Sequence, residues 1–349
     1  MSRIDCFLPI GWDGKEAKLV VNRLHKPPLI DTATVVDRHA TFTVNLDEYS
    51  PAYIWLDGNP NDVHFFLDAP QIDIAVDPKA FDQPLFSGSP SSELWLRQRH
   101  LLQELSESQN KVRDDFFTTS IPTDSLLIDS LSVALVKFEP TADSLNKAHN
   151  QVMTQLILAN REAASSWYLF ASNFSGLPYA TTLALFDKLA YFRSNPSYKQ
   201  INETLSRNKV GQKAGLFNGL TMTGDTIRLV DQWKLNKVTL FDFSVSYEAS
   251  HQLRHRALKK LYTFYHPLGL EIITISNALS HDLVQDIFGE EKLPWPIVLP
   301  LPNAFGGQAN SPLERMSNNL LVDDYGTVIG RDMSIQALED TLKALLNKK

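Results

Sequence analysis

The chain has 349 residues, 43% of them hydrophobic and 21% charged, with a net charge of −7. That length allows two or three domains with sizeable cores, and the composition is that of an ordinary globular protein. The acidic balance argues against a nucleic-acid surface, which needs a basic face, and no apolar run reaches the ~18 residues of a spanning helix.

The first ten residues, MSRIDCFLPI, have neither a basic n-region nor a full apolar stretch, so no signal peptide is visible. Such a start fits a chain whose export signal has been removed, and equally a cytosolic protein. Cys6 is the single cysteine. One cysteine excludes an intramolecular disulfide, a CxxC redox centre and a multi-cysteine zinc site. Cys6 has two readings, the lipid-attachment residue of an envelope lipoprotein or a small residue in a first strand. The second is favoured.

Residues 6–88 read as all-β. Alternating runs at 17–22, 41–46, 52–56, 63–67 and 72–76 are separated by turn chemistry such as Trp12-Asp13-Gly14 and Asp57-Gly58-Asn59-Pro60. That spacing suggests a small sandwich or barrel. From Ser92 to about Asn208 the pattern is helical. A first helix carries Leu94, Leu96, Leu101, Leu102 and Leu105 and gives way to the polar SESQNKVRDD. Further helices are expected over 125–137, 144–160, 163–173, 181–192 and 196–207. Ser91 or Ser92, Asp143-Ser144 and Asn195-Pro196 supply starts. The block Trp167, Tyr168, Leu169, Phe170 reads as helix-packing core rather than a ligand cage.

The last part alternates strands and helices. A strand at 226–230 precedes the apolar run 238–243, then a polar turn, then a helix over 248–260 with Leu253, Ala257, Leu258 and Leu261 inside. The fully apolar 270–276 is a second central strand, followed by a helix over 281–289, a strand at 319–323, a hairpin through Asp323-Asp324-Tyr325-Gly326 into 327–329, and an amphipathic helix over 334–346. This order predicts a mixed sheet of four or five strands with helices on both faces. Pro294, Pro296, Pro300 and Pro302 mark an extended segment read as core or edge packing. Gly306-Gly307 sits in a loop without the lysine of a phosphate loop.

The stretch KVTLFDFSVSYEASHQLRHRAL, 237–258, organises the rest. A central strand turning into a helix is where α/β folds place their chemistry, at the strand's carboxyl end. Here Phe241, Asp242, Phe243, Ser246 and Tyr247 hold a frame that resembles the active-site segment of TlpA/ResA-type thioredoxin-like (AhpC/TSA-like) envelope proteins. The resemblance extends through Leu293-Pro294-Trp295 and the Asp323–Gly326 hairpin. In the middle segment it is carried by the phrase Asn208-Lys209-Val210-Gly211-Gln212-Lys213-Ala214. At the front, Asp31-Thr32-Ala33, Thr41-Phe42-Thr43, His64-Phe65-Phe66-Leu67 and Phe86-Ser87-Gly88-Ser89 resemble the β domain of unknown function that precedes such domains.

The resemblance implies thiol–disulfide exchange in intact members, and this chain departs from it. Glu248 and His251 fill the two cysteine positions, and neither can supply the low-pKa thiolate or the resolving thiol. Ser317 stands where the family has a cis-proline. A cis bond there would cost about 2.5–4 kcal/mol, so a trans peptide is expected and that side of the groove is altered as well. Glu248, His251 and His255, at i, i+3 and i+7 on one side of a helix, carry ligand types for a divalent metal. Alternatively Glu248 and His251 form an acid/base pair at the positive end of the helix. The plainer reading has them as solvated residues, with His255 joining Arg254 and Arg256 in a surface charge cluster. His281-Asp282 is read as a helix start capped by Ser280.

The expectation is an α+β multidomain chain. It has a β-sandwich-like domain over 1–90, a helical segment over 91–209 and a thioredoxin-like α/β domain over 210–349. Its function is that of a thioredoxin-fold protein of the bacterial cell envelope or periplasm that has lost redox chemistry and binds a partner. The groove is Tyr247, Glu248, His251 and Ser317, the partner an unidentified protein or peptide, and no cofactor is implied. The alternative is a metal-binding or acid/base enzyme using Glu248 and His251.

Overall fold

In the first ninety residues, burial alternates along the strands with the period of two that a half-buried sheet requires. The computed structural model of the chain describes residues 1–24, 26–58, 62–120, 128–207, 209–214, 218–244, 249–276, 292–300 and 319–346. Eight strands open it: β1 (Ser2–Phe7), β2 (Glu16–Val21), β3 (Leu29–Thr34), β4 (His39–Val44), β5 (Ser50–Leu56), β6 (Val63–Leu67), β7 (Gln71–Asp77) and β8 (Ala80–Ser87). They form two four-stranded sheets, β4-β1-β7-β8 and β3-β2-β5-β6. Ile4, Cys6, Phe42 and Ile72 from one sheet share a core with Leu19, Ile54 and Phe65 from the other. This is the sandwich.

Two of these strands escape the sequence patterns. β3 is an edge strand whose inward side alternates Leu29 and Ala33 with the polar Asp31, so it lacks an apolar stripe. β8 contains Pro84, which ordinarily demotes a strand. At the sheet's edge the missing N–H removes no ladder bond that a neighbour needs. Cys6 is 0% exposed, and burial, aided by the neighbouring Asp5 carboxylate, pushes its thiol up to about 12. It is a core residue of a first strand, with no free surface for a lipid.

Five helices follow: α1 (Ser92–Ser120), α2 (Ile128–Ala159), α3 (Ala164–Asn173), α4 (Tyr179–Lys188) and α5 (Pro196–Arg207). α1 does not stop at its polar run. Glu, Gln, Lys and Arg are good helix formers, and a solvated helix needs no apolar face there. α2 likewise runs through Pro140, where the sequence suggested a break between two helices. Trp167 is 1% exposed and stacks on Phe192 at 5.5 Å, the core role expected of its aromatic block.

One carboxylate ties this layer together. Glu48, in the β4–β5 loop, accepts hydrogen bonds from Trp167 Nε1 (2.7 Å), Asn195 Nδ2 (3.0 Å) and Ser197 N (3.3 Å), and from Ser197 Oγ. It thereby joins the sandwich to α3 and caps the start of α5. Glu48→Ala should lower stability by about 2–3 kcal/mol, since bonds to a charged acceptor are lost and a buried indole donor loses its best partner. Urea unfolding followed by tryptophan fluorescence measures this. A change below about 0.5 kcal/mol would show the cluster to be dispensable.

Contacts divide the chain into two compact units, Met1–Val112 with Ser144–Ile201, and Arg113–Asp143 with Asn202–Lys349. The second contains β9 (Asn218–Thr221), β10 (Thr226–Arg228), α6 (Leu229–Trp233), β11 (Val238–Ser244), α7 (Ala249–Tyr265), β12 (Leu270–Ser276), β13 (Ile297–Pro300), β14 (Asn319–Asp323), β15 (Val328–Arg331) and α8 (Ile335–Leu346). Its sheet has seven strands in the order β10-β9-β13-β12-β11-β14-β15, more than the four or five expected. The proline-marked segment supplies one of the extra strands. β13 lies inside the sheet, between β12 and β9, with Pro296 just before it and Pro300 at its end, where a missing donor does least harm.

β11 and β12 are parallel, and β14 returns antiparallel beside β11. On one face Leu240, Ile272 and Leu321 pack against Leu258 and Leu261 of α7 and Leu338 and Leu342 of α8. On the other, Phe241, Ile273 and Val298 pack with Trp233 of α6. The β14–β15 turn is set by Asp323 Oδ1, which accepts from Tyr325 N (3.0 Å) and Thr327 N (2.8 Å). Gly326 there has φ +79°, and a Cβ would come within 2.8 Å of the Trp233 ring, so both conformation and space call for glycine. The helix expected over 281–289, with its cap at Ser280, and the Gly306-Gly307 loop lie outside the described residues.

Candidate functional site

On the α7 face of the sheet, one row of neighbours is apolar and the next is polar. Leu240 stands beside Ile272 and Leu321, and one step toward the carboxyl ends of β11 and β12, Asp242 stands beside Thr274 and Asn319. All three polar residues are 0% exposed. Buried polar groups need partners, and each of these has one. Asn319 Nδ2 donates to the Met333 carbonyl (3.0 Å) while its Oδ1 accepts from Met333 N (3.1 Å). Thr274 Oγ1 accepts from Trp295 Nε1 at 2.9 Å.

Asp242 has basic partners. Arg254 Nε donates to its Oδ1 at 2.7 Å, and His255 Nε2 lies 3.5 Å from Oδ2. The first is a full charge-assisted hydrogen bond; the second is a longer contact between two polar groups. Adjacent positions on a helix point about 100° apart, so Arg254 and His255 reach one carboxylate from two sides. Burial pushes the Asp242 carboxyl up, but His255 and the Arg254 guanidinium outweigh it and hold the group below the usual carboxylate range. His255 is 1% exposed and meets the Trp295 ring edge-on at 6.4 Å. The cluster thus fixes an ionised carboxylate inside the fold and clamps α7 to the central strand. An anion so held is a poor proton donor near neutral pH.

The sequence-derived site is only partly within the described residues. Tyr247, Glu248 and Ser317 lie outside them, and of His251 the structure describes only its place in the first turn of α7. His255 is described, and it corrects one expectation. It is not in a surface cluster with Arg254 and Arg256; of the three, Arg256 alone is exposed, while His255 and Arg254 turn inward to Asp242. Among the described residues no three His, Cys, Asp or Glu side chains come together as a metal site. The reading of 237–258 took Asp242 as part of a frame and missed its role. The available signal was an acid inside an apolar strand, followed by two adjacent bases on the next helix.

Comparisons with known proteins found the following likenesses. Residues 4–95, about a quarter of the chain, match a domain of unknown function, DUF4369. No curated protein matches the sequence. Among solved structures, a thiol:disulfide interchange protein from a Bacteroides species is 21% identical over 40% of this chain and 91% of its own, with a TM-score of 0.35. The thioredoxin domain of a thiol-disulfide oxidoreductase from Bacteroides vulgatus is 21% identical over 40% of this chain and 99% of its own, TM-score 0.35. A thioredoxin-like protein from Bacteroides caccae is 15% identical and covers more, 64% of this chain and 87% of its own, at a TM-score of 0.41.

Proposed function

We propose that this is a thioredoxin-fold binding protein of the bacterial cell envelope, which meets a protein or peptide partner with the carboxyl end of β11 and the head of α7. The observation that carries the reading is chemical. The only thiol of the chain, Cys6, is sealed in the core of the sandwich, and residues 210–349 contain none. Thiol–disulfide exchange needs an accessible thiolate and a second thiol to resolve the mixed disulfide. Neither exists here, so the α/β domain has lost that chemistry. What remains near the carboxyl end of β11 is the buried Asp242 row, held to α7 by Arg254. A helix fixed to a central strand by buried polar contacts is preorganised, which suits recognition.

A photo-crosslinking amino acid at position 251 tests the proposal, with Phe264, 62% exposed toward the other end of α7, as the control position. In envelope extracts of the source bacterium, position 251 should give a discrete adduct that disappears when the protein is unfolded first. Equal labelling from 251 and 264, or none from 251, would overturn the assignment of the binding surface.

A further inference from the structure

We draw no further inference here: the strongest candidate, the buried Asp242–Arg254–His255 cluster between β11 and α7, belongs to the site already described, and nothing among the described residues shows what ligand it would take.

Discussion

Asp242→Ala is expected to cost about 3–5 kcal/mol, the loss seen when one member of a buried ion pair is removed and its charged partner, here Arg254, stays behind. Arg254 would lose the carboxylate that its Nε bonds, in a site where Asp242 is 0% exposed. Such a loss is a large part of the stability of an ordinary domain and would be read as a shifted urea midpoint. The triple variant Asp242→Leu, Arg254→Met, His255→Leu should recover most of it, because apolar replacement of the whole cluster leaves no buried charge.

The cluster also sets a direction in pH. The folded Asp242 carboxyl is held below its unfolded value, so its contribution is fully present above about pH 3.9. It is lost as the pH falls below that value and through the folded pKa. Acid unfolding should therefore be less steep in the triple variant than in the wild type. If Asp242→Ala costs under about 1 kcal/mol, the cluster does not hold α7 to the sheet.

The second expected effect restores chemistry. With Cys6→Ala to remove the buried thiol, Glu248→Cys/His251→Cys should form an intramolecular disulfide under mild oxidant. In the described residues α7 runs from Ala249, with 251 in its first turn, and 248 is one residue earlier in sequence. Two such positions suit a bridge that needs Cα atoms roughly 4.4–6.8 Å apart. Backbone N–H groups at the helix start favour the thiolate, so the thiol at 248 should titrate below about 8.5. On the reading that Ser317 takes the place of a cis-proline, turnover would still be slow. Two thiols that stay reduced in the folded variant would show that 248 and 251 are not the redox positions.

How much of this was legible in the sequence differs by region. The central strands were read almost to the residue, because Leu270–Ser276 and Asn319–Asp323 are short runs rich in Leu, Ile and Val that break off at polar residues. The sandwich was read from alternation, which β3 and β8 blur with an inward Asp31 and a Pro84. β13 was seen only as an extended proline-marked segment, since nothing local says whether such a segment joins a sheet. The site divides in the same way. Loss of the cysteines is a count, and the count sufficed. The placement of His255 is a tertiary fact. Between Arg254 and Arg256 it looks solvated, and only the helix's packing turns it inward to Asp242.

The central claim, that the α/β unit proposed above to be thioredoxin-like works without thiol exchange, is tested most directly by insulin reduction with dithiothreitol. Wild type and Cys6→Ala should be indistinguishable from buffer, because the single thiol is buried and raised to about 12. Turnover above buffer would contradict the account. If it survived Cys6→Ala it would require redox chemistry without any cysteine; if it vanished with Cys6, the buried thiol would have to be the nucleophile.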